Sequence, residues 1–177
     1  MKKKILACIL SFILVLSVAG CGKDKKEEKK DDSKVLTYED GGYKTTFKDA
    51  TKGNFELKDG STSGKFKEVK LENKSKNIKA TMYYVEMVDE TYDVMENSRK
   101  EKEGYKTYKW NNLDGYIYEA SKDSLNFNIH LAQKEDKEYG VILFGEVEAI
   151  DSSKANVLED FNSDEVQKLL NTVEFTR

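Results

Sequence analysis

The chain has 177 residues, 36% of them charged and 38% hydrophobic, with a formal net charge of -3, one histidine, two cysteines and no proline. An acidic balance opposes sequence-general nucleic-acid binding, which needs a basic face. So few histidines and cysteines leave zinc, copper and haem sites without their usual ligands, and no cofactor is expected.

Met1-Lys2-Lys3-Lys4 opens the chain with positive charge, and Ile5 to Val18 is apolar except for Ser11 and Ser17. That run is shorter than the ~20 residues a membrane-crossing helix needs. It fits the apolar region of a secretory signal. The run closes on Val18-Ala19-Gly20-Cys21, which resembles the lipobox of bacterial lipoproteins. The resemblance implies recognition of Val18, Ala19 and Gly20 by the lipoprotein signal peptidase and cleavage before Cys21. It also implies diacylglycerol on the Cys21 sulfur and, in many bacteria, a palmitate-like acyl chain on the new amino group. Two or three acyl chains anchor stably where one is marginal. The expected location is the cell membrane, lipid-anchored on its extracytoplasmic side. Residues 1–20 are then a signal peptide, 21–34 a lipidated cysteine with a charged tether, and 35–177 one globular domain. Loss of Lys2, Lys3 and Lys4 takes the net charge to about -6. Cys8 leaves too, so no disulfide is expected and burial must hold the fold together.

Gly22 to Lys34 holds six lysines, five acids and no apolar side chain. Nothing in it offsets the entropy of ordering, so it reads as a solvated tether. It reaches at most ~45 Å when extended. Interleaved acids oppose its docking on anionic headgroups.

From Val35 the pattern is two-residue alternation, the mark of half-buried strands. Val35–Tyr38 and Tyr43–Phe47 flank a hairpin turn at Glu39-Asp40-Gly41-Gly42. A strand at Phe55–Leu57 leads into a loop from Asp59 to Gly64. Phe66, Val69 and Leu71 break phase, which suggests a bulge or an edge strand. Ile78, Ala80, Met82 and Tyr84 alternate again. Glu90 to Glu103 reads as a peripheral helix, capped by Asp89 and ended by Gly104, with a thin apolar stripe of Tyr92 and Met95. Strands at Tyr105–Trp110 and Tyr116–Ala120 are joined across Asn111 to Gly115, and a third alternates through Leu125, Phe127, Ile129 and Leu131. In the segment Tyr139 to Val147, Val141-Ile142-Leu143-Phe144 is apolar on both faces, which predicts a central strand covered on both sides. Val166, Leu169, Leu170 and Val173 form one helical stripe within Ser163–Asn171. Asn162 or Ser163 caps this helix, with Glu165 placed for a capping box on Asn162 and Phe161 packing back as a staple. Val173–Phe175 closes as a short strand.

Little catalytic chemistry is legible. His130 sits on the polar face of its strand, with no nucleophile elbow beside it. The phosphate-loop-like stretch Gly60–Lys65 is one residue short and has Phe66 where a hydroxyl is needed. Asp160 to Asp164 has the opening spacing of a calcium loop, but Glu165 stands where glycine is needed, and helix capping explains the residues better. Glu146 and Glu148 share one strand face and form a weak carboxylate pair. The most suggestive cluster is aromatic. Tyr108 and Trp110 share a face of one strand, and Tyr116 and Tyr118 share a face of the next. On one side of the sheet these four would form a platform for sugars or a protein; the alternative is a core under a helix.

The order of elements, ending in the amphipathic helix and strand Glu165-Val166-Gln167-Lys168-Leu169-Leu170-Asn171-Thr172-Val173-Glu174-Phe175, resembles the PsbP-like fold over about residues 36–177. The resemblance implies an α+β architecture, an antiparallel sheet flanked by helices in an α/β/α sandwich. It also implies a non-catalytic binding or assembly module at a membrane surface. The expected function is therefore a membrane-anchored extracytoplasmic binding module whose partner is a membrane or cell-wall protein. A glycan- or small-ligand-binding lipoprotein using Tyr108, Trp110, Tyr116 and Tyr118 is the alternative, and a carboxylate-based enzyme comes last.

Overall fold

The computed structural model describes residues 32–63, 66–87, 89–133 and 140–177. The signal segment, the lipobox, Cys21 and most of the tether lie outside these residues. So do Gly64 and Lys65 of the phosphate-loop-like stretch, and Tyr139. Among the described residues no helix is long and apolar enough to cross a membrane.

The alternation seen in the sequence becomes strands β1 (Lys34–Asp40), β2 (Tyr43–Asp49), β3 (Phe55–Ser63), β4 (Phe66–Asn73) and β5 (Ile78–Met87). Helix α1 (Asp89–Arg99) follows, then β6 (Lys106–Trp110), β7 (Leu113–Ser121), β8 (Ser124–Gln133) and β9 (Gly140–Ala149). Two short helices, α2 (Val157–Phe161) and α3 (Asp164–Leu170), precede β10 (Glu174–Thr176). Seven strands pair in the order β3-β4-β5-β9-β8-β7-β6, and three in the order β1-β2-β10. All pairs are antiparallel.

β9 is central, as its two apolar faces predict. It lies between β5 and β8, with Leu143 buried on one side and Ile142 on the other. The inner face of the large sheet supplies Phe55, Leu71, Met82, Leu143, Phe127 and Ile117 to the main core. Leu36, Tyr38 and Phe47 of the small sheet and Phe161, Leu169 and Leu170 of the helices close over it.

This corrects the expected α/β/α sandwich. The protein is β-rich, built on two antiparallel sheets. The inner face of the large sheet is covered partly by strands, because β1 and β2 carry alternating Leu36, Tyr38, Tyr43 and Phe47, and partly by the short helices α2 and α3. Among the described residues, α1 packs on the outer face through Met95. The helix ends also shift. α1 stops at Arg99, and turns lead to Gly104, whose φ of 66° suits glycine. The expected capping box does not form: Ser163 is the N-cap of α3 without a side-chain bond. The Glu165 carboxylate instead accepts from Asn54 (3.0 Å), Asn73 (2.9 Å) and Ser75 (3.3 Å), which ties α3 to the β2–β3 and β4–β5 connections. Asn162 ends α2, a helix the sequence reading did not find.

Local chemistry fixes the hairpins. Gly41 and Gly42, with φ of 59° and 85°, form the turn between β1 and β2. The phase break expected near Phe66 is a register shift in the β3–β4 pairing between Asp59 and Thr62. Gly60 there lies so close to the Glu68 carbonyl that a Cβ would sit 2.7 Å from its oxygen. Buried Asp49 accepts from the Thr51 and Gly53 amides at 2.8 and 3.0 Å and so organises the β2–β3 connection.

The small sheet is joined to the large one through tyrosines. Tyr84 of β5 stacks on Tyr38 at 4.5 Å, with its hydroxyl 2.8 Å from Thr45 Oγ1 and 3.1 Å from the Tyr38 carbonyl oxygen. Burial pushes the Tyr84 hydroxyl up to about 12, and that of Tyr38 moves in the same direction for the same reason. Both are neutral in the folded state and ionise near their ordinary value of about 10 in the unfolded chain. The unfolded state therefore loses protons first, and stability falls as pH rises from about 10 toward 12. Denaturant melts at stepped alkaline pH, with tyrosinate absorbance as a second probe, should show this loss. A Tyr84→Phe protein should show a shallower one.

Candidate functional site

The register decides what the four sequence-selected rings can do. Directly opposed residues in an antiparallel pair share a face. Trp110 opposes Leu113 and Tyr108 opposes Gly115, whereas Tyr116 opposes Thr107. Tyr108 and Trp110 therefore point to the inner face, and Tyr116 and Tyr118 to the outer one. The expected four-ring surface is not formed. The reason is the turn: Asn111 and Asn112, with φ of 46° and 67°, make a two-residue connection where the sequence suggested five. A two-residue turn pairs even positions of β6 with odd positions of β7 and puts the two ring pairs on opposite sides.

On the inner face Trp110 is 1% exposed. It stacks on half-buried Tyr108 at 4.8 Å, meets Phe161 edge-on at 6.4 Å, and donates its indole N–H to Gln167 Oε1 at 3.0 Å. The Tyr108 hydroxyl donates to Asn162 Oδ1. These are core residues under α2 and α3.

On the outer face Tyr116, Tyr118 and Ile142 form a second buried cluster, with Met87, Met95 and Tyr105 packed against it. Arg99, at the end of α1, lies over the Tyr118 ring with its guanidinium carbon 5.2 Å from the ring centre. The Tyr105 hydroxyl donates to Glu96 Oε1 at 2.8 Å; burial first, and the Glu96 carboxylate second, push its pKa up to about 12. Beneath lies Asn128, opposed by Tyr116 and Phe144 and 1% exposed. Neither its Nδ2 nor its Oδ1 has a hydrogen-bond partner, and the buried Arg99 Nε has none either. Half-buried His130 is on the same face, opposite Ile142.

Past α1 the outer face continues with half-exposed aromatic side chains. Tyr83 and Phe144, opposed across β5 and β9, hold their half-exposed rings 5.0 Å apart. Asn126 donates to the Tyr118 hydroxyl at 2.9 Å. Burial raises the Tyr83 hydroxyl, and the negative charges of Glu146 and Glu68 raise it further. Glu146 and Glu148 do share this face and are exposed; Glu148 meets Lys79 at 3.4 Å. Toward β3 the face becomes an ion-pair ladder, with Lys58 at 2.6 Å from Glu72 and 3.6 Å from Glu56. The Lys58–Glu56 pair is exposed and adds little stability, whereas Glu72 is half-buried beneath Lys58.

Tyr83 and Phe144 were missed as a pair because each reads as one residue in a strand. The available signal was β9 itself, whose second apolar face needs a partner on β5 in the opposite phase to Tyr84. Elsewhere a cleft of about 190 Å³ between the β7–β8 hairpin and α2 is lined by Glu119, Lys122, Asp123 and Asn156. A second, apolar space of about 20 Å³ lies inside the main core. Asp160, raised by burial, belongs to α2, and the Ser163 hydroxyl donates to its carbonyl at 2.7 Å. Among the described residues no three His, Cys, Asp or Glu side chains converge as a metal site.

Fold and site together define an antiparallel two-sheet protein with a half-covered aromatic outer face. Comparison with protein-family models, with curated proteins and with solved structures finds no match.

Proposed function

We propose that the chain is a lipid-anchored, extracytoplasmic, non-catalytic binding or assembly module, and that its partner docks on the open half of the outer face. The observation that carries the reading is the first 34 residues: three lysines, an apolar run, Val18-Ala19-Gly20-Cys21, and a charged tether leading straight into β1. A tether of ~45 Å lets a folded domain reach partners beside the membrane. The face supports binding because Tyr83 and Phe144 offer rigid apolar area edged by Glu68, Glu146 and Asn126, the mixture typical of a wet, specific interface. The partner favoured is a membrane or cell-wall protein with a basic rim complementary to those carboxylates. The sugar-platform reading loses its four rings, because Trp110 and Tyr116 are each 1% exposed.

The test is photo-crosslinking in cells. A photoreactive residue at position 83 should yield one discrete protein adduct in the membrane or wall fraction. The same residue at exposed Lys44, on the outer side of the small sheet, should yield none. Equal adducts from both positions, or none from either, count against the proposal.

A further inference from the structure

Among the described residues, the covered half of the outer face holds buried polar atoms without partners. Asn128 is 1% exposed, and both side-chain polar atoms lack partners. An unsatisfied buried donor or acceptor costs about 1–3 kcal/mol. An apolar residue of similar size would avoid that cost, so the amide calls for a partner that comes and goes. Arg99 Nε is a second buried donor without an acceptor. Both groups flank the Tyr116–Tyr118 ring pair, whose centres are 6.3 Å apart: Asn128 opposes Tyr116 across the strands, and Arg99 lies over Tyr118.

Among its described side chains α1 gives Met95 to the cluster, while Val94 is 68% exposed. A helix segment whose described side chains bury so little apolar surface opens at low cost. Glu96 of α1 is engaged by the Tyr105 hydroxyl, whereas Glu68 and Glu146 act further along the face, where they reach Tyr83.

The geometry points to α1 as a lid over a peptide-terminus site: the Asn128 amide on the floor pairs with a peptide group, and Arg99 on the lid takes the terminal carboxylate. The match is chemical. A peptide C=O accepts from Nδ2 and its N–H donates to Oδ1, which satisfies the amide in both directions. A guanidinium recognises a planar carboxylate through paired N–H donors. The rings of Tyr118 and Phe144 border the floor and would take a small apolar side chain. This inference deepens the binding-module reading and rests on it.

The test uses the full-length lipidated protein in detergent micelles, titrated calorimetrically with N-acetyl-alanyl-alanine and with its C-terminal amide. The free acid should bind saturably, and the amide at least about tenfold more weakly. Asn128→Leu and Arg99→Gln should each weaken binding of the acid by a similar factor. Asn128→Leu should also raise the melting temperature of the unliganded protein. Should Asn128→Leu fail to fold, half-buried Arg99→Gln carries the test. No heat from the acid, equal binding of the two peptides, or unchanged binding by the variants overturns the inference. Unchanged or lower stability in Asn128→Leu without peptide binding identifies an amide served only by water, and overturns it too. Persistent crosslinking from position 83 in a protein that ignores both peptides would leave the wider reading standing.

Discussion

Trp110→Ala should destabilise the domain by about 3–5 kcal/mol, the range for emptying a buried large aromatic site. The indole is sealed between the inner face of the large sheet and α2 and α3. Truncation removes the Tyr108 stack and the Phe161 edge contact, and strands Gln167 Oε1. Gln167 also donates to the Phe161 carbonyl at 2.9 Å, so the link between α2 and α3 loosens with it. Urea unfolding followed by circular dichroism measures the loss. Trp110→Phe should recover part of it by keeping a ring in the slot, though without the N–H. A Trp110→Ala protein of native stability would mean the indole stands outside the core, which is what a sugar platform requires.

Gly145→Ala should cost about 3 kcal/mol, at the upper end for overpacking. An added Cβ would lie 2.1 Å from Phe127 Cε1 and 2.2 Å from Cζ. Neither side can yield readily. Gly145 is held by β5 on one side and β8 on the other, and the Phe127 ring is 1% exposed and stacked 5.8 Å from Phe161. Phe127→Leu in the same chain should restore part of the stability by opening that space, although each change alone is destabilising. Such non-additivity between touching residues is read by a double-mutant cycle. Additive losses would contradict the close approach.

The strands were legible because alternation is a local property: Ile78, Ala80, Met82 and Tyr84 report their burial within one strand. The both-faced run at Val141–Phe144 likewise reported a central position. Long-range facts were not legible. Whether Tyr108 shares a side with Tyr116 depends on a turn of two residues instead of five, and Asn111-Asn112 signals that turn less plainly than the Gly41-Gly42 pair does. The fold class failed for a related reason. β10 is far in sequence from the β1–β2 hairpin it joins, and nothing local says that these strands leave the main sheet to form its lid. Glu165 was read for its spacing from Asn162, but Asn73, which it actually binds, is remote in sequence. Of the candidate site, Glu146 and Phe144 were within reach of alternation. Asn128 was seen only as the polar phase of its strand, because an exposed and a buried asparagine look alike until the opposite face acquires a cover.

The central claim is that Cys21 carries the lipid that places this domain outside the cytoplasm. Metabolic labelling with radioactive palmitate tests it most directly. The account predicts label on the membrane-associated wild-type protein and loss of both label and membrane association in Cys21→Ser. Absence of label from the wild type, or equal label on Cys21→Ser, would contradict it.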